Sequence, residues 1–349
     1  MAIGMGGIVD LWCNLSSHTP ATSCVVMLSL FGDTHPQPKG IPMTTAFLKD
    51  ITALKPGVPV TRGGVTLIPI FAPAGRTSAI KIAGDELLVS ELETPTVPQL
   101  QVHNPTAHDL LIPAGRILSG GRQTRVVNVS IVVPAGAKVV IPVSCVEAGR
   151  WSGRSGFENS GRNASRRVRV SKQRSVKANI DLYKSKRSAQ GDVWSTIDHE
   201  LSSRSVNADA SLFLGVDEDL DRRSDRIAVV EQFLTDGIQH GQVGVAVAHG
   251  DKILCVEVFP STEALQVSWE AIVRAAVIDA DEFETPGETI DAASGIAALE
   301  KFLAAVAATE GTVSEGVGRG TELHVETAAY VAHGLTVDGE LVYCNAFAS

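Results

Sequence analysis

The sequence predicts an α+β protein with a β-rich, sandwich- or barrel-like core and flanking helices. Three observations carry the prediction. Short Val- and Ile-rich runs between residues 110 and 143 are separated by Pro-Ala-Gly and Gly-Gly turns, the spacing of a sandwich or barrel-like sheet. Capped segments with helical apolar spacing follow from residue 192 to residue 308, and β patterning returns from residue 323 onward. Strands, then helices, then strands is an α+β order rather than an alternating α/β one.

Residues 1–42 stand apart. They hold five of the nine Cys and Met residues together with Pro20, Pro36, Pro38 and Pro42, and they show no clear period. Either this is a disordered extension or the chain properly starts at Met43, and the second is favoured because order begins there. Residues 46–54 read as a short helix stopped by Pro56-Gly57. Residues 65–71 (VTLIPIF) form a continuous apolar strand buried on both faces, with Pro69 placing it at an edge or a bulge. Residues 80–93 fit helix or strand. Residues 99–103 form a strand ended by Asn104-Pro105-Thr106. Strands are expected at 110–112, 126–133 and 139–143, and a polar mobile loop at 151–163.

Asp192 is placed to cap a helix whose Val193, Ile197 and Leu201 recur every four residues. A second helix spans 225–239. A hairpin covers 243–259 around His249-Gly250-Asp251-Lys252. Ser261 caps a helix over 262–280, and Asp291 or Ser294 opens one through Ala308. A final hairpin turns at Asp338-Gly339. The domain reading is a β-rich part over 43–155, a basic loop or linker over 156–190 with a partly helical stretch at 166–187, and an α+β part over 191–349 packed on the first.

Composition narrows the function classes. Apolar residues make up 44% and charged residues 20%, which fits a packed globule rather than a disordered chain. No apolar run approaches the ~20 residues of a membrane span, and the first Lys or Arg is Lys39. The simplest location is therefore cytoplasmic. Five widely spaced cysteines without a CxxC pattern argue against a disulfide framework or a zinc knuckle. The net charge is −9, yet residues 150–187 hold twelve Lys or Arg against only Glu158 and Asp181. Such a band on an acidic body would meet a phosphate-bearing ligand or an acidic protein partner. Beyond Trp151 at its start, the band has one Phe (Phe157) and one Tyr (Tyr183), which weakens a nucleic-acid reading.

Two stretches carry candidate chemistry. In Gly120-Gly121-Arg122-Gln123-Thr124-Arg125 the glycines permit close backbone approach, and Arg122 and Arg125 offer bidentate donors to phosphate or carboxylate. No helix follows, so this is neither a P-loop nor a dinucleotide fingerprint. The plain alternative is a hairpin turn with surface arginines. In residues 142–151 a buried strand releases Cys145, Glu147, Arg150 and Trp151 into a loop. Cys145 is a nucleophile if a neighbour lowers its pKa, and otherwise an inert buried thiol. Trp151 would stack on a ring or close a core. His103 and His108 flank one turn without a third metal ligand, and His199 and His240 read as solvated helix residues.

Residues 104–151 (NPTAHDLLIPAGRILSGGRQTRVVNVSIVVPAGAKVVIPVSCVEAGRW) resemble the ARG- and rhodanese/phosphatase-superfamily-associated protein family. The likeness continues through VTLIPIF, GDVWSTI, GQVGVAVAHGDKILCVEVF and LTVDGELVY, so it spans about residues 45–347. Thr124 stands where the family usually has Asn, and Arg116 where an acidic residue is common. The family is largely uncharacterised. Its name records association with ADP-ribosylglycohydrolases and phosphatase-like proteins, so the resemblance implies a role around NAD or ADP-ribose. On that expectation Arg122 and Arg125 clamp phosphate, Gln123 and Asn128 orient the ligand, and Trp151 stacks. Gly120 and Gly121 shape the turn, Arg150 adds a cation, and Glu147 is the acid/base with Cys145 beside it. The alternatives are a non-catalytic interaction module docking an acidic partner through 150–187, and RNA binding through the same band. No particular cofactor is implied.

Overall fold

The computed structural model describes residues 50–73, 77–147, 153, 156–204, 212–283 and 285–349, all within the compact unit Ile41–Ser349. The expectations for residues 1–42, Arg150 and Trp151 lie outside the described residues. Residues 50–52 are helical, and the rest of the expected 46–54 helix falls outside or has already turned.

The chain first lays down β1 (Lys55–Pro56), β2 (Val60–Arg62) and β3 (Val65–Phe71). All of β3 but its last residue is buried, as its apolar run predicts. It is an interior strand rather than an edge. One flank pairs with a strand formed much later in the chain, and β1 and β2 share the other. Pro69 is tolerated because β2 pairs only as far as Leu67 and β1 begins at Ile70, so no partner needs its missing N–H.

The central segment gives β4 (Lys81–Ile82), β5 (Leu88–Ser90), β6 (Gln99–His103), β7 (Leu110–Ile112), β8 (Arg116–Gly120), β9 (Arg125–Val127), β10 (Ile131–Val133), β11 (Lys138–Cys145) and β12 (Phe157–Asn163). The ambiguous 80–93 stretch is therefore two short strands, and the expected 126–133 strand is two strands broken at 128–130. A six-stranded antiparallel sheet runs β12-β8-β9-β11-β6-β5, and a three-stranded sheet runs β10-β7-β4. Residues 157–163 are strand, not loop. Despite their polar composition, pairing with β8 satisfies their backbone, Ser160 Oγ donates to Ile117 O (2.9 Å), and Asn163 is buried.

Next come α1 (Arg166–Tyr183), α2 (Gln190–Ser203), α3 (Leu212–Arg222) and α4 (Ser224–Asp236). The stretch expected as a basic linker is thus largely helix. Ser165 caps α1, and Lys184 closes it in the left-handed conformation. α1 joins the two large sheets because its charged side chains reach backbone and carboxylate partners on either side. Lys172 Nζ donates to Val127 O and Asn128 O, both at 2.8 Å. Arg169 pairs with Glu257 at 2.7 Å. Asp192 lies in the first turn of α2, and Ala189 holds the cap position without a side-chain bond. Val193, Ile197 and Leu201 are buried as their spacing predicts. His199 sits on α2, while His240 sits in the turn after α4 and not on a helix.

The remainder gives β13 (Gln242–His249), β14 (Lys252–Val258), α5 (Thr262–Ala280), α6 (Ala292–Ala308), β15 (Thr312–Glu315), β16 (Thr321–Glu326), β17 (Tyr330–Val337) and β18 (Glu340–Ala348). Ser261 and Asp291 cap α5 and α6 through their side chains. Asp338 and Gly339 both have positive φ, +53° and +83°, as a type I′ turn requires. A nine-stranded sheet runs β1-β3-β13-β14-β18-β17-β16-β15, with β2 also on β3. Alternation in β3 and β13 sends Val65, Leu67, Val245 and Val247 into one core with α5. It sends Ile68, Ile70 and Ala246 into another core with Leu299, Leu303 and Val306 of α6. A third core lies against the smaller sheets and includes Val176 and Ile180 of α1. The result is a mixed α+β fold with a β-rich centre.

Candidate functional site

The turn between β8 and β9 is shaped by its neighbour in the chain. Gly120 has φ +115°, and a Cβ there would lie 2.6 Å from Gly156 O. Gly121 N donates to that same carbonyl at 2.7 Å. The close approach that needs glycine is therefore to the start of β12, and Phe157 fills the space beside Gly121. Arg122 is exposed, and its N–H donates to Glu91 Oε1 (3.1 Å). Gln123, Thr124 and Arg125 then turn inward and are buried.

This inward turn meets the exit of β11. Thr124 N donates to Glu147 Oε2 at 2.7 Å, Gln123 Nε2 to Glu147 O at 3.2 Å, and Val146 N to Thr124 O at 3.1 Å. Arg125 is opposite Cys145 in the β9–β11 ladder. Gln190, at the first turn of α2, donates from Nε2 to Cys145 O (2.7 Å) and accepts Cys145 N–H on Oε1 (2.8 Å). Cys145 Sγ donates to Glu147 O (3.0 Å) and accepts from Glu147 N (3.3 Å). Burial pushes the Cys145 thiol up, and the Glu147 backbone, the Arg125 charge and Trp194 only partly oppose it. The thiol is thus protonated at neutral pH, the less nucleophilic form.

Four of the residues expected at the site therefore converge: Gln123, Arg125, Cys145 and Glu147. Asn128 faces elsewhere. Its Oδ1 accepts from Ser144 Oγ (2.6 Å), and its Nδ2 donates to Lys186 O (3.0 Å). Thr124 acts through its backbone N–H. Arg116 is buried with contacts to Asn159 Oδ1 (3.4 Å) and Ser268 Oγ (3.5 Å), and burial pushes it below the ordinary arginine value. Two described grooves of about 880 Å³ lie elsewhere. One is lined by Arg166, Arg174, Asp192 and His199, the other by Leu254, Phe302 and Tyr330.

The basic band is largely engaged inside the molecule. Arg166 and Arg167 share Glu282 at 2.5 and 3.1 Å, Lys177 pairs with Asp181 at 2.7 Å, and Lys186 with Glu322 at 2.6 Å. Among the described residues, much of this run of positive charge is thus paired within the chain, while Arg166, Arg167 and Arg174 also line an open groove.

Sequence reasoning missed a buried cluster on the nine-stranded sheet. Glu322 and His324 are two residues apart on β16 and share a face, and His333 is the cross-strand partner of His324 on β17. His324 Nε2 donates to Glu322 Oε2 at 2.8 Å, and His333 Nε2 lies 3.9 Å from the same oxygen. The three side chains bring one ligand atom each within 4.8 Å of one another. Burial pushes His333 down to about 4, so its ring is neutral at neutral pH. The available signal was Glu-x-His on a strand facing a third ligand across a hairpin, and it becomes readable only once the register is known.

Among the described residues no helix is long and apolar enough to cross a membrane. No match was found among the curated proteins or among the solved structures. The family model described as "ARG and Rhodanese-Phosphatase-superfamily-associated Protein domain" matches residues 53–347, and the chain belongs to that family.

Proposed function

We propose that the chain binds a phosphate-bearing nucleotide where the β8–β9 turn meets the exit of β11. The observation that carries the reading is the 2.7 Å bond from Thr124 N to Glu147 Oε2, which joins two stretches far apart in sequence into one polar cluster. In this reading the exposed Arg122 contacts phosphate and Arg125 lends positive potential from beneath. Gln123 orients the ligand, Asn128 braces β11 from behind through Ser144, and Arg150 and Trp151, which follow Glu147 in the sequence, contribute further contacts. Glu147 is the acid/base if a reaction occurs, with its backbone held by the Cys145 sulfur. The family description, which names ARG and rhodanese-phosphatase-superfamily proteins, directs the choice of ligands toward ADP-ribose and NAD.

The test is calorimetric titration with ADP-ribose, NAD and pyrophosphate. The expected result is saturable binding of at least one of them, weakened about tenfold by Arg122→Ala. Absence of binding to all three, or binding unchanged by Arg122→Ala, overturns the reading.

A further inference from the structure

We propose that Glu322, His324 and His333 form a buried binding site for a first-row divalent transition-metal ion of the Zn²⁺ class. The site goes beyond the nucleotide reading and does not depend on it.

The donor set is two imidazoles and one carboxylate, which suits zinc and its neighbours and not the oxygen-seeking Mg²⁺ or Ca²⁺. Three ligands each about 2.1 Å from one tetrahedral ion lie about 3.4 Å apart. The distances from Glu322 Oε2 to the two Nε2 atoms, 2.8 and 3.9 Å, bracket that separation. Shifts of well under 1 Å would equalise them.

Two further observations point to a ligand. His333 Nε2 is buried with no partner within hydrogen-bond distance, and it faces, at 3.9 Å, the oxygen that His324 already engages. A polar nitrogen buried without a partner is costly, and a metal ion would satisfy it. Groups around the cluster also orient it. Ser130 Oγ and His333 Nδ1 are hydrogen-bonded at 3.4 Å, which leaves Nε2 as the ligand atom. Lys186 Nζ and Val317 N donate to Glu322 Oε1 at 2.6 and 3.2 Å, which leaves Oε2 facing the histidines. Such outer partners fix the direction of metal ligands.

Lys186 also supplies the competing arrangement, in which its ammonium is the only cation the carboxylate needs. The structure weighs against this because Lys186 sits on Oε1 and leaves His333 Nε2 unmet. Binding would displace the proton that His324 Nε2 shares with Oε2 and release it to solvent. Three protein ligands leave a fourth position for water or another ligand.

The test uses the full chain without a histidine tag, stripped with chelator and titrated with Zn²⁺ and Co²⁺. The expected result is one equivalent of either ion, a tetrahedral Co²⁺ absorption band, and a melting temperature about 5 °C higher with excess Zn²⁺. His324→Ala or His333→Gln should weaken binding at least about 100-fold, and Ser130→Ala about tenfold. Lys186→Met should retain the ion. Substoichiometric uptake by the wild type overturns the proposal, whether or not any variant folds. So does binding that survives in the His324→Ala/His333→Gln double variant. A wild type that stays empty while Lys186→Met takes up zinc would identify the lysine as the resident cation and also overturn it.

Discussion

Glu257 and Glu322 stand on the same nine-stranded sheet, both buried and both beside a cation, yet their surroundings differ in kind. Glu257 accepts from Arg169 Nη1 at 2.7 Å and from Tyr343 OH at 2.5 Å, and the Arg169 guanidinium also lies 4.3 Å from the Phe347 ring centre. Each carboxylate oxygen there has a strong donor, and the group ties α1 to β14 and β18. Glu322 likewise has a donor on each oxygen, but it stands beside an imidazole nitrogen whose approach to it, 3.9 Å, is longer than a hydrogen bond. A buried charge by itself marks scaffolding as readily as function. What separates the two is the kind of atom left over: a guanidinium nitrogen that can only donate at Glu257, and an imidazole nitrogen that can ligate a metal at Glu322.

The comparison is broken or sharpened by four substitutions. The largest effect is expected from Arg169→Met, which leaves Glu257 buried without its cation and should cost about 3–5 kcal/mol in urea unfolding. The double variant Arg169→Met/Glu257→Met should recover much of that loss, because no uncompensated charge remains. A single variant as stable as the wild type would show that the pair is not holding the helix to the sheet.

Next in size is a pH effect at a third buried carboxyl. Asp279 Oδ1 accepts the Arg166 N–H at 2.8 Å, but burial and the charge of Glu282 push its pKa up to about 7. A carboxyl raised above its unfolded value of about 3.9 binds its proton more tightly in the folded chain. Its stabilising contribution is complete below about pH 4 and is lost as pH rises through about 7. Asp279→Asn should therefore gain on the wild type across that window when unfolding free energies are compared at each pH. Parallel profiles would place the Asp279 pKa at its ordinary value.

The smallest effect belongs to Tyr343→Phe. It preserves the ring and removes one donor from Glu257, so about 1–2 kcal/mol should be lost in the same unfolding measurement. A loss as large as that of Arg169→Met would make the phenol, rather than the guanidinium, the group that holds the carboxylate.

How much was legible beforehand follows the range of each interaction. Ser261, Asp291 and the Asp338-Gly339 turn act within four residues, and all three took the structures their local chemistry predicts. The 157–163 strand was missed because its polar residues are held by pairing to β8, about forty residues away, rather than by apolar alternation. The internal pairing of the basic band was hidden for a related reason. Charge density is visible in a sequence, but the acidic partners of Arg166 and Lys186 lie 116 and 136 residues away. At the candidate site the motif stretches were visible, whereas the joining of Thr124 to Glu147 was not.

The sequence by itself determined the α+β order, the caps at Ser261 and Asp291, the Asp338-Gly339 turn, the burial of the apolar strands, and the family. These depend on propensity, periodicity and backbone conformation, which neighbouring residues control. Only the tertiary structure decided which charges are internal, that Asn128 turns away from Gln123 and Glu147, and that His333 comes to face Glu322 and His324. Those outcomes depend on strand register and helix docking. In a strand a shift of one residue would send each of these side chains to the opposite face.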